Sequence, residues 1–299
     1  EQTQSHMSRQ SKLNIFVFAI FVLMLLFSYL FFQGDQKPDK RIFSLESHDV
    51  KSIKINYIDS PSNIHIEKST GGLWEFRKLA EFNPSSFSYM RPSEWKIQNI
   101  LRILATEYET QIPSLNVNPI EFGLVNPRVI LELNEVRIVF GDVNPLIKKR
   151  YIQVGDTIYI ITDRYYKHII AEPLQYISLS PLEGKQGIEE IDLPDITLRK
   201  SKNNGSWLVD SMVKLSPDQV NTFIDEWKFS QALSLSTTRP AQAAKFSANL
   251  RTTDGQAYQF DIFLTQDMFI LGVKQSGLFY HYPLDAGKRL VKPALENRE

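Results

Sequence analysis

A run of apolar residues from Leu13 to Phe32 constrains this chain more than any other feature. Only Asn14, Ser28 and Tyr29 place polar atoms in the run, and none of the three is charged. A hydrocarbon core about 30 Å thick is crossed by roughly 20 helical residues. A helix also satisfies its own backbone polar groups where water is absent. The sequence therefore predicts a transmembrane helix over residues 13–32, followed by a globular domain of mixed polarity.

The flanks of this run bear on its orientation. The basic residues nearby are Arg9 and Lys12 before it and Lys37, Lys40 and Arg41 after it. Counting positive charges is therefore indecisive, but the short basic tail resembles that of a signal anchor. We expect a single-pass protein of the bacterial inner membrane with its C-terminal domain in the periplasm. A cleavable signal peptide is the rival interpretation, although its apolar core is typically only about 7–15 residues and ends at small side chains.

The predicted organisation has five parts. In order, they are a cytoplasmic tail (1–12), the transmembrane helix (13–32), a polar linker (33–41), a first α+β repeat (42–183) and a second α+β repeat (184–299). The opening residues 1–6 are interpreted as a remnant of vector sequence. The boundary between the repeats is expected near Pro181–Gly187, which carries Pro, Gly and charge.

The part of the chain after the linker contains an internal duplication. Residues Asn63–Phe76 and Asp195–Val209 each show an alternating strand, a turn containing Gly and a strand that begins near a Trp, which is a hairpin pattern. A helix introduced by Pro follows each hairpin, and two further hairpins and a short helix complete each repeat. The predicted fold class is α+β, with an N-terminal transmembrane helix and two antiparallel units of order ββ-α-ββ-ββ-α.

Several turn and core residues carry a resemblance to a known family. They are Gly72-Leu73-Trp74, Ile100–Ala105, Phe122-Gly123-Leu124 with Pro127, Phe140-Gly141, Tyr151, Val154-Gly155-Asp156 and Tyr159. On these residues, mainly within Val50–Pro181, the chain resembles an uncharacterised bacterial family of unknown function. That family is found behind single membrane helices and in extracytoplasmic auxiliary subunits of gliding-type ABC transporters. The resemblance implies the fold of that family, an extracytoplasmic location and association with a transporter or envelope complex. It implies no catalytic residues.

Charge and cysteine content argue against several function classes. Lys and Arg together number 34, as do Asp and Glu, so the formal net charge is zero, whereas nucleic-acid-binding proteins carry a basic excess. The densest basic cluster, Lys148-Lys149-Arg150, is interpreted as a solvated strand end, with a lipid headgroup or partner contact as the alternative. The absence of cysteine excludes disulfides, thiolate metal sites and cysteine nucleophiles. No glycine-rich phosphate-binding motif occurs, so neither a nucleotide nor another cofactor is expected.

The titratable residues form no recognisable catalytic or metal-binding pattern. The histidines are far apart in sequence and lack paired metal-ligand spacing. His65 and Glu67 alternate onto one strand face, where they are interpreted as a surface pair, with a metal-ligand pair as the alternative. No catalytic, cofactor-binding or metal-ligating residue is assigned, and the chain is not predicted to be an enzyme.

The candidate partner-contact residues lie in a loop between Leu79 and Arg91. They are Phe82, Phe87, Tyr89 and Met90. Aromatic residues and Met are enriched at protein interfaces, and long loops without secondary structure are often functional. The alternative is a loop that folds back on its own core.

These observations predict a membrane-anchored periplasmic subunit without enzymatic activity. Its expected partners are the membrane, through the helix from Leu13 to Phe32, and integral-membrane or periplasmic proteins of the cell envelope. An accessory role in an ABC-type transporter or another membrane complex fits this prediction. The alternative is a periplasmic module that binds a lipid, glycan or peptide between its two repeats.

Overall fold

The computed structural model of the chain describes residues 9–32, 39–58, 62–80, 82–184 and 187–293. The chain forms two compact units, one ending at Lys40 and the other beginning at Arg41. Parts of four predicted segments lie outside the described residues. These are residues 1–8 of the cytoplasmic tail, residues 33–38 of the linker, residues 59–61 and 81 of the first repeat, and residues 185–186 and 294–299 of the second repeat.

The described part of the first unit contains the helix α1 (Arg9–Phe32). This helix includes the whole predicted run and begins four residues before it. The side chains of residues 13–29 are all exposed, so apolar groups cover every side of the helix. None of the helices in the described ranges combines the length and the apolar character that crossing a bilayer requires.

The second unit contains two antiparallel sheets of eight strands, one in each repeat. The first repeat contains β1 (Ser52–Tyr57), β2 (Ile64–Lys68), β3 (Trp74–Leu79), β4 (Thr110–Pro113), β5 (Val129–Leu133), β6 (Val136–Asn144), β7 (Lys149–Val154) and β8 (Thr157–Thr162). The second repeat contains β9 (Ile188–Leu193), β10 (Ile196–Lys200), β11 (Trp207–Ser211), β12 (Ser234–Ser236), β13 (Phe246–Thr252), β14 (Ala257–Leu264), β15 (Met268–Val273) and β16 (Leu278–Pro283).

The strand order confirms the internal duplication. Across the two sheets it is β3-β2-β1-β5-β6-β7-β8-β4 and β11-β10-β9-β13-β14-β15-β16-β12. Each strand of the second repeat therefore occupies the place of its counterpart in the first. The prediction of an α+β fold with two repeated antiparallel units is confirmed at this level.

Each repeat nevertheless has two more strands than the predicted order ββ-α-ββ-ββ-α. The helices are α2 (Glu94–Leu101), α3 (Tyr166–Ile169), α4 (Pro217–Phe229) and α5 (Leu284–Lys288), so the observed order is βββ-α-β-ββ-ββ-α. The additional strands are β1 and β4 in the first repeat and β9 and β12 in the second. No Gly turn joins β1 to β2 or β9 to β10. Strands β4 and β12 have only four and three residues, too few to show alternation.

Short 3-10 helices complete the first repeat. They span Ser47–Asp49, Pro84–Tyr89, Arg102–Ala105, Ser114–Asn116, Pro119–Phe122 and Pro173–Tyr176.

Local sequence explains where the longest helix of the second unit begins. Ser216 accepts a hydrogen bond from the backbone of Gln219, whose side chain accepts one from the Ser216 backbone, and Pro217 fills the first helical position. This reciprocal cap satisfies backbone groups that the helix itself cannot pair. The buried apolar side chains of α4 are Val220, Phe223 and Trp227, and those of α2 are Ile97, Ile100 and Leu101.

One large hydrophobic core contains buried side chains from both repeats. Ile53 of β1 and Ile191 of β9 belong to it, and both are fully buried. The Tyr89 and Tyr258 rings also meet across the boundary between the repeats. The repeats are therefore packed together rather than joined only by their connecting chain.

Candidate functional site

The four predicted contact residues lie along an edge of the first sheet. The 3-10 helix Pro84–Tyr89 contacts the edge strand β3, and Asn83 caps it by accepting a hydrogen bond from the Ser85 backbone. Phe82, Phe87 and Tyr89 are half-buried and pack against the core, and Met90 is only 2 % exposed. The loop thus folds back on its own core, and the partner-contact role of these residues stays a prediction.

A cleft of about 460 Å³ opens beside this segment, which we call the inter-repeat cleft. It is lined by Glu75, Phe76, Arg77, Pro84, Phe87, Ser88, Arg91, Asp254 and Gln256. The last two residues belong to the second repeat and the others to the first. Gln256 Nε2 donates a hydrogen bond to the carbonyl oxygen of Ser88 at 2.9 Å, which ties the two walls together. Ligand pockets commonly have volumes of about 300–1,000 Å³.

Charged side chains of both signs line the inter-repeat cleft. Arg91 Nη1 donates to Glu75 Oε1 at 3.2 Å, and Arg77 Nη1 lies 3.7 Å from Glu75 Oε2. Arg77 Nε also donates to Glu67 at 3.0 Å, and this hydrogen bond lowers the pKa of the Glu67 carboxyl below its usual value. Arg91 Nε is buried and has no hydrogen-bond partner among the described residues.

The equivalent edge of the second sheet has a different environment. In the first repeat, residues 80–93 connect β3 to α2 and supply the segment that covers β3, whereas only residues 212–216 connect β11 to α4. Leu208 on β11 is 60 % exposed and Met212 is 94 % exposed. Val209 is also exposed, although its counterpart Phe76 on β3 is buried. The second edge therefore presents apolar side chains to the surroundings.

An apolar groove of about 360 Å³ lies next to this edge. We define the β11 groove by its lining residues, which are Asp195, Ile196, Ser211, Met212, Val213, Leu215, Val291, Lys292 and Pro293. An edge strand with unpaired backbone groups and exposed apolar side chains is a template on which another chain can pair.

Two of the described histidines, His65 and His281, make close polar contacts. His65 Nε2 lies 2.9 Å from Glu67 Oε1, which Arg77 also engages. His281 Nε2 lies 2.9 Å from Ser236 Oγ, and burial lowers the pKa of the His281 imidazole. Burial is also the main cause that lowers the pKa of His168. Within the described ranges, His, Asp and Glu side chains form no group of three or more placed to hold a metal ion.

Two buried basic side chains were not expected from the sequence. The prediction that Arg150 belongs to a solvated strand end is wrong. Its guanidinium forms a bidentate salt bridge with Asp163, in which Nε and Nη2 each donate to a carboxylate oxygen at 2.9 Å. It also lies 3.5 Å from the centre of the Tyr166 ring. Lys96 is buried on α2 with its Nζ 5.0 Å from the Tyr176 ring centre, and burial lowers its pKa. Only contacts between distant parts of the chain reveal these positions.

Neither a protein-family model, nor a curated protein, nor a solved structure matches this chain.

Proposed function

We propose that this chain is a membrane-tethered, non-enzymatic subunit that binds other proteins of the bacterial cell envelope. We place it in the inner membrane as a single-pass protein, with its two-repeat unit in the periplasm and an accessory role in a complex such as an ABC-type transporter. The proposal follows from the exposed apolar surface of α1. Phe16, Phe18 and Leu23 are 64 %, 68 % and 67 % exposed, and such a surface is stabilised by lipid or by another apolar surface.

The first experiment measures membrane association directly. The full chain is expressed in a bacterial host, and its membranes are washed with alkaline carbonate. The variant Phe21→Arg/Leu25→Arg places two charges near the middle of the apolar run, each costing about 3 kcal/mol within a bilayer. Leu115→Arg/Leu146→Arg is the matched control, because both leucines are exposed in the second unit.

We expect the wild-type chain and the control to stay in the membrane pellet and the helix variant to leave it. Release of the wild-type chain by carbonate would refute the tether. A reporter enzyme that is active only in the periplasm, fused to the C-terminus, tests the orientation in the same cells.

For the partner, we propose a short protein segment with aromatic side chains that packs over β11 and the β11 groove. The duplication supports this choice, because in the first repeat a segment of that chemistry, Pro84–Tyr89 with its flanking residues, contacts the equivalent edge. Phe87 in that segment lies 6.1 Å from Phe76 between ring centres.

A synthetic peptide with the sequence of residues 82–91 tests this surface. We expect it to bind the full chain in detergent and to lose binding to the variant Val209→Glu/Met212→Glu. The matched control Leu115→Glu/Leu146→Glu should bind like the wild type, because both positions are exposed and lie outside the β11 groove. Equal binding to all three proteins, or no binding to any, would contradict the proposed surface.

A second candidate function is a periplasmic module that binds a small ligand between the repeats. The inter-repeat cleft favours it, because both repeats contribute to its lining and its volume suits a small molecule. Calorimetric titration of the full chain with peptides and sugars, combined with substitution of lining residues, tests this function.

A further inference from the structure

We infer that the surface formed by α2 and α3 binds the headgroups of anionic phospholipids. This α2–α3 surface is defined by Trp95, Lys96, Arg102, Lys167 and His168. The inference goes beyond the proposed protein partner, and it rests on the proposed membrane tether, which keeps a bilayer within reach of the second unit. The phosphodiester of such a lipid offers one negative charge and several oxygen acceptors.

Contacts between α2 and α3 bring these side chains together. The Trp95 ring meets the His168 ring edge-on, with ring centres 5.8 Å apart. Asn99 Nδ2 donates to the Trp95 carbonyl oxygen at 2.7 Å, and Arg102 Nη1 donates to Asn99 Oδ1 at 3.3 Å. These three residues therefore follow one side of α2 into the 3-10 helix after it. Lys167 precedes His168 on α3 and is exposed.

The cations of this surface have no carboxylate partner. Within the described ranges, no salt bridge joins Lys96, Arg102 or Lys167 to Asp or Glu. Burial lowers the pKa of the His168 imidazole, and Lys96, Lys167 and Arg102 lower it further, so the charges that act on this ring are all positive. Glu94, the one carboxylate of α2, accepts a hydrogen bond from Gln98 Nε2 at 2.7 Å instead. An anion from outside the chain would supply the counter-charge.

Lys96 has hydrogen-bonding capacity that the described residues leave unused. It is 4 % exposed, and its Nζ lies 5.0 Å from the centre of the Tyr176 ring. This cation–π contact leaves the three N–H donors of the ammonium group without an acceptor. The Nζ atom itself is accessible, because it is not among the fully enclosed polar atoms that lack a partner. A phosphate oxygen at the surface can therefore reach it and accept from it.

The apolar side chains beside these cations favour a lipid over a free anion. Trp95 is 67 % exposed, and Ile170 at the end of α3 is 37 % exposed. A Trp ring is stable at the boundary between headgroups and hydrocarbon, because its body is apolar and its N–H can remain hydrated. Cationic and aromatic side chains on one face are typical of segments that lie at a membrane surface.

The equivalent surface of the second repeat has paired charges. Arg289, which follows α5, donates through Nε to Glu226 on α4 at 2.8 Å. Lys288 on α5 lies 3.7 Å from Asp285. Because the two repeats share their order of strands and helices, the unpaired cations belong to the side chains of the first repeat rather than to the fold. The second repeat therefore provides a matched control.

Fluorescence quenching of the full chain in lipid vesicles tests the inference. The chain has no cysteine, so the variant Ile170→Cys carries a single fluorophore at the edge of the α2–α3 surface. The vesicles consist of phosphatidylcholine alone or of equal parts phosphatidylcholine and phosphatidylglycerol, each with a small fraction of lipid that bears a nitroxide quencher on its headgroup. We expect quenching to be at least about threefold stronger in the anionic vesicles and to weaken as salt is added.

Substitution of exposed cations gives an independent measurement in the labelled chain. Arg102→Gln/Lys167→Gln should reduce the excess quenching in anionic vesicles by about threefold or more, because two charges that attract the lipid are removed. The matched control Lys288→Gln/Arg289→Gln removes two cations that have carboxylate partners, and it should keep the wild-type excess. An equal loss in both variants would overturn the role of the α2–α3 surface.

Two soluble probes distinguish lipid from other anions. Inorganic phosphate and a poly-glutamate peptide are added to the labelled chain in neutral vesicles without quencher, and the emission of the fluorophore is recorded. We expect no change with either probe at physiological salt. A change with phosphate would overturn the lipid in favour of a free anion, and a change with the peptide alone would overturn it in favour of an acidic protein.

Carbonate extraction of the same vesicles separates this inference from the tether. A chain that stays in the vesicles but is quenched equally in anionic and neutral lipid would retain the tether and overturn lipid binding by the α2–α3 surface. A chain that carbonate releases would overturn the tether. The released chain is then mixed with fresh vesicles at neutral pH, where quenching by anionic vesicles alone would support the inference and quenching by neither would overturn it.

Discussion

The ring of Tyr89 meets the ring of Tyr258 edge-on, with ring centres 5.3 Å apart and ring planes at 82°. Tyr89 lies in the segment that contacts β3, and Tyr258 lies on β14, so this contact joins the two repeats. Tyr258 is buried, and burial raises the pKa of its phenol well above its usual value. The aromatic pair therefore belongs to the core that the two repeats share.

Removal of the Tyr258 ring should destabilise both repeats together. Replacing a large buried aromatic residue with Ala costs about 3–5 kcal/mol, and Tyr258→Ala should lower the free energy of unfolding by about that amount. Because the core is shared, urea unfolding followed by fluorescence and by circular dichroism should show one transition. Tyr108→Ala, which removes a ring paired within the first repeat, should cost less because Tyr108 is only half-buried. Two separated transitions in the wild type would contradict the shared core.

Breaking the ion pair between Arg150 and Asp163 should be costly. The side chain of Arg150 is only 9 % exposed, so Arg150→Gln leaves Asp163 without its partner in a partly buried site. We expect a loss of about 3 kcal/mol in the free energy of unfolding, measured in urea. Arg199→Gln, which breaks a pair between Glu190 and the exposed Arg199, should cost much less, because water screens an exposed ion pair. Similar losses in the two variants would argue against a structural role for the buried pair.

Gly287→Ala should destabilise the protein although Ala is the better helix former. Gly287 lies in α5, where Ala would ordinarily gain about 1 kcal/mol over Gly. A Cβ at this position would lie 2.2 Å from Cβ and Cγ of Phe269, so the helix and β15 must separate. We expect a lower thermal midpoint by calorimetry. Gly71→Ala is the control, because the nearest atom, Ser69 Oγ, is 3.9 Å from its Cβ, and an unchanged midpoint is expected there.

Two histidines should make the protein less stable at mildly acidic pH. Burial lowers the pKa of His281 and of His168 in the folded chain, whereas an unfolded His has a pKa of about 6.5. The unfolded state therefore binds more protons just below that pH, and stability falls as the pH drops through this region. Urea midpoints between pH 5.5 and 7.5 should show this slope.

Substitution identifies the histidines responsible for the slope. His168→Gln/His281→Gln should flatten the dependence of the urea midpoint on pH. The control His48→Gln should keep the wild-type slope, because His48 is a largely exposed side chain. An unchanged slope in the double variant would assign the pH dependence to other groups.

Much of the fold follows from short-range patterns. Alternation of apolar and polar side chains has a period of two residues in a strand, and a turn residue needs only its own backbone geometry. For this reason the hairpins of each repeat, the helix introduced by Pro217 and the duplication itself are predicted correctly. The short strands β4 and β12 are missed, because their pairing with β8 and β16 depends on residues far away in sequence.

The candidate sites depend almost wholly on tertiary structure. The sequence identifies the segment containing Phe82, Phe87, Tyr89 and Met90, but it leaves open whether that segment faces a partner or its own core. The cleft beside it exists because Asp254 and Gln256 come from the other repeat. The exposed edge of β11 is recognised only when the residues around it are compared with the segment that contacts β3.

The sequence by itself determined the apolar run, the duplication, the α+β class and the main hairpins, because each depends on neighbours within a few residues. Only the tertiary structure decided that Arg150 is buried, that Arg91 Nε lacks an acceptor among the described residues, and that the two sheet edges differ. Burial and hydrogen bonding depend on which distant segments pack together, and local sequence patterns do not record that packing.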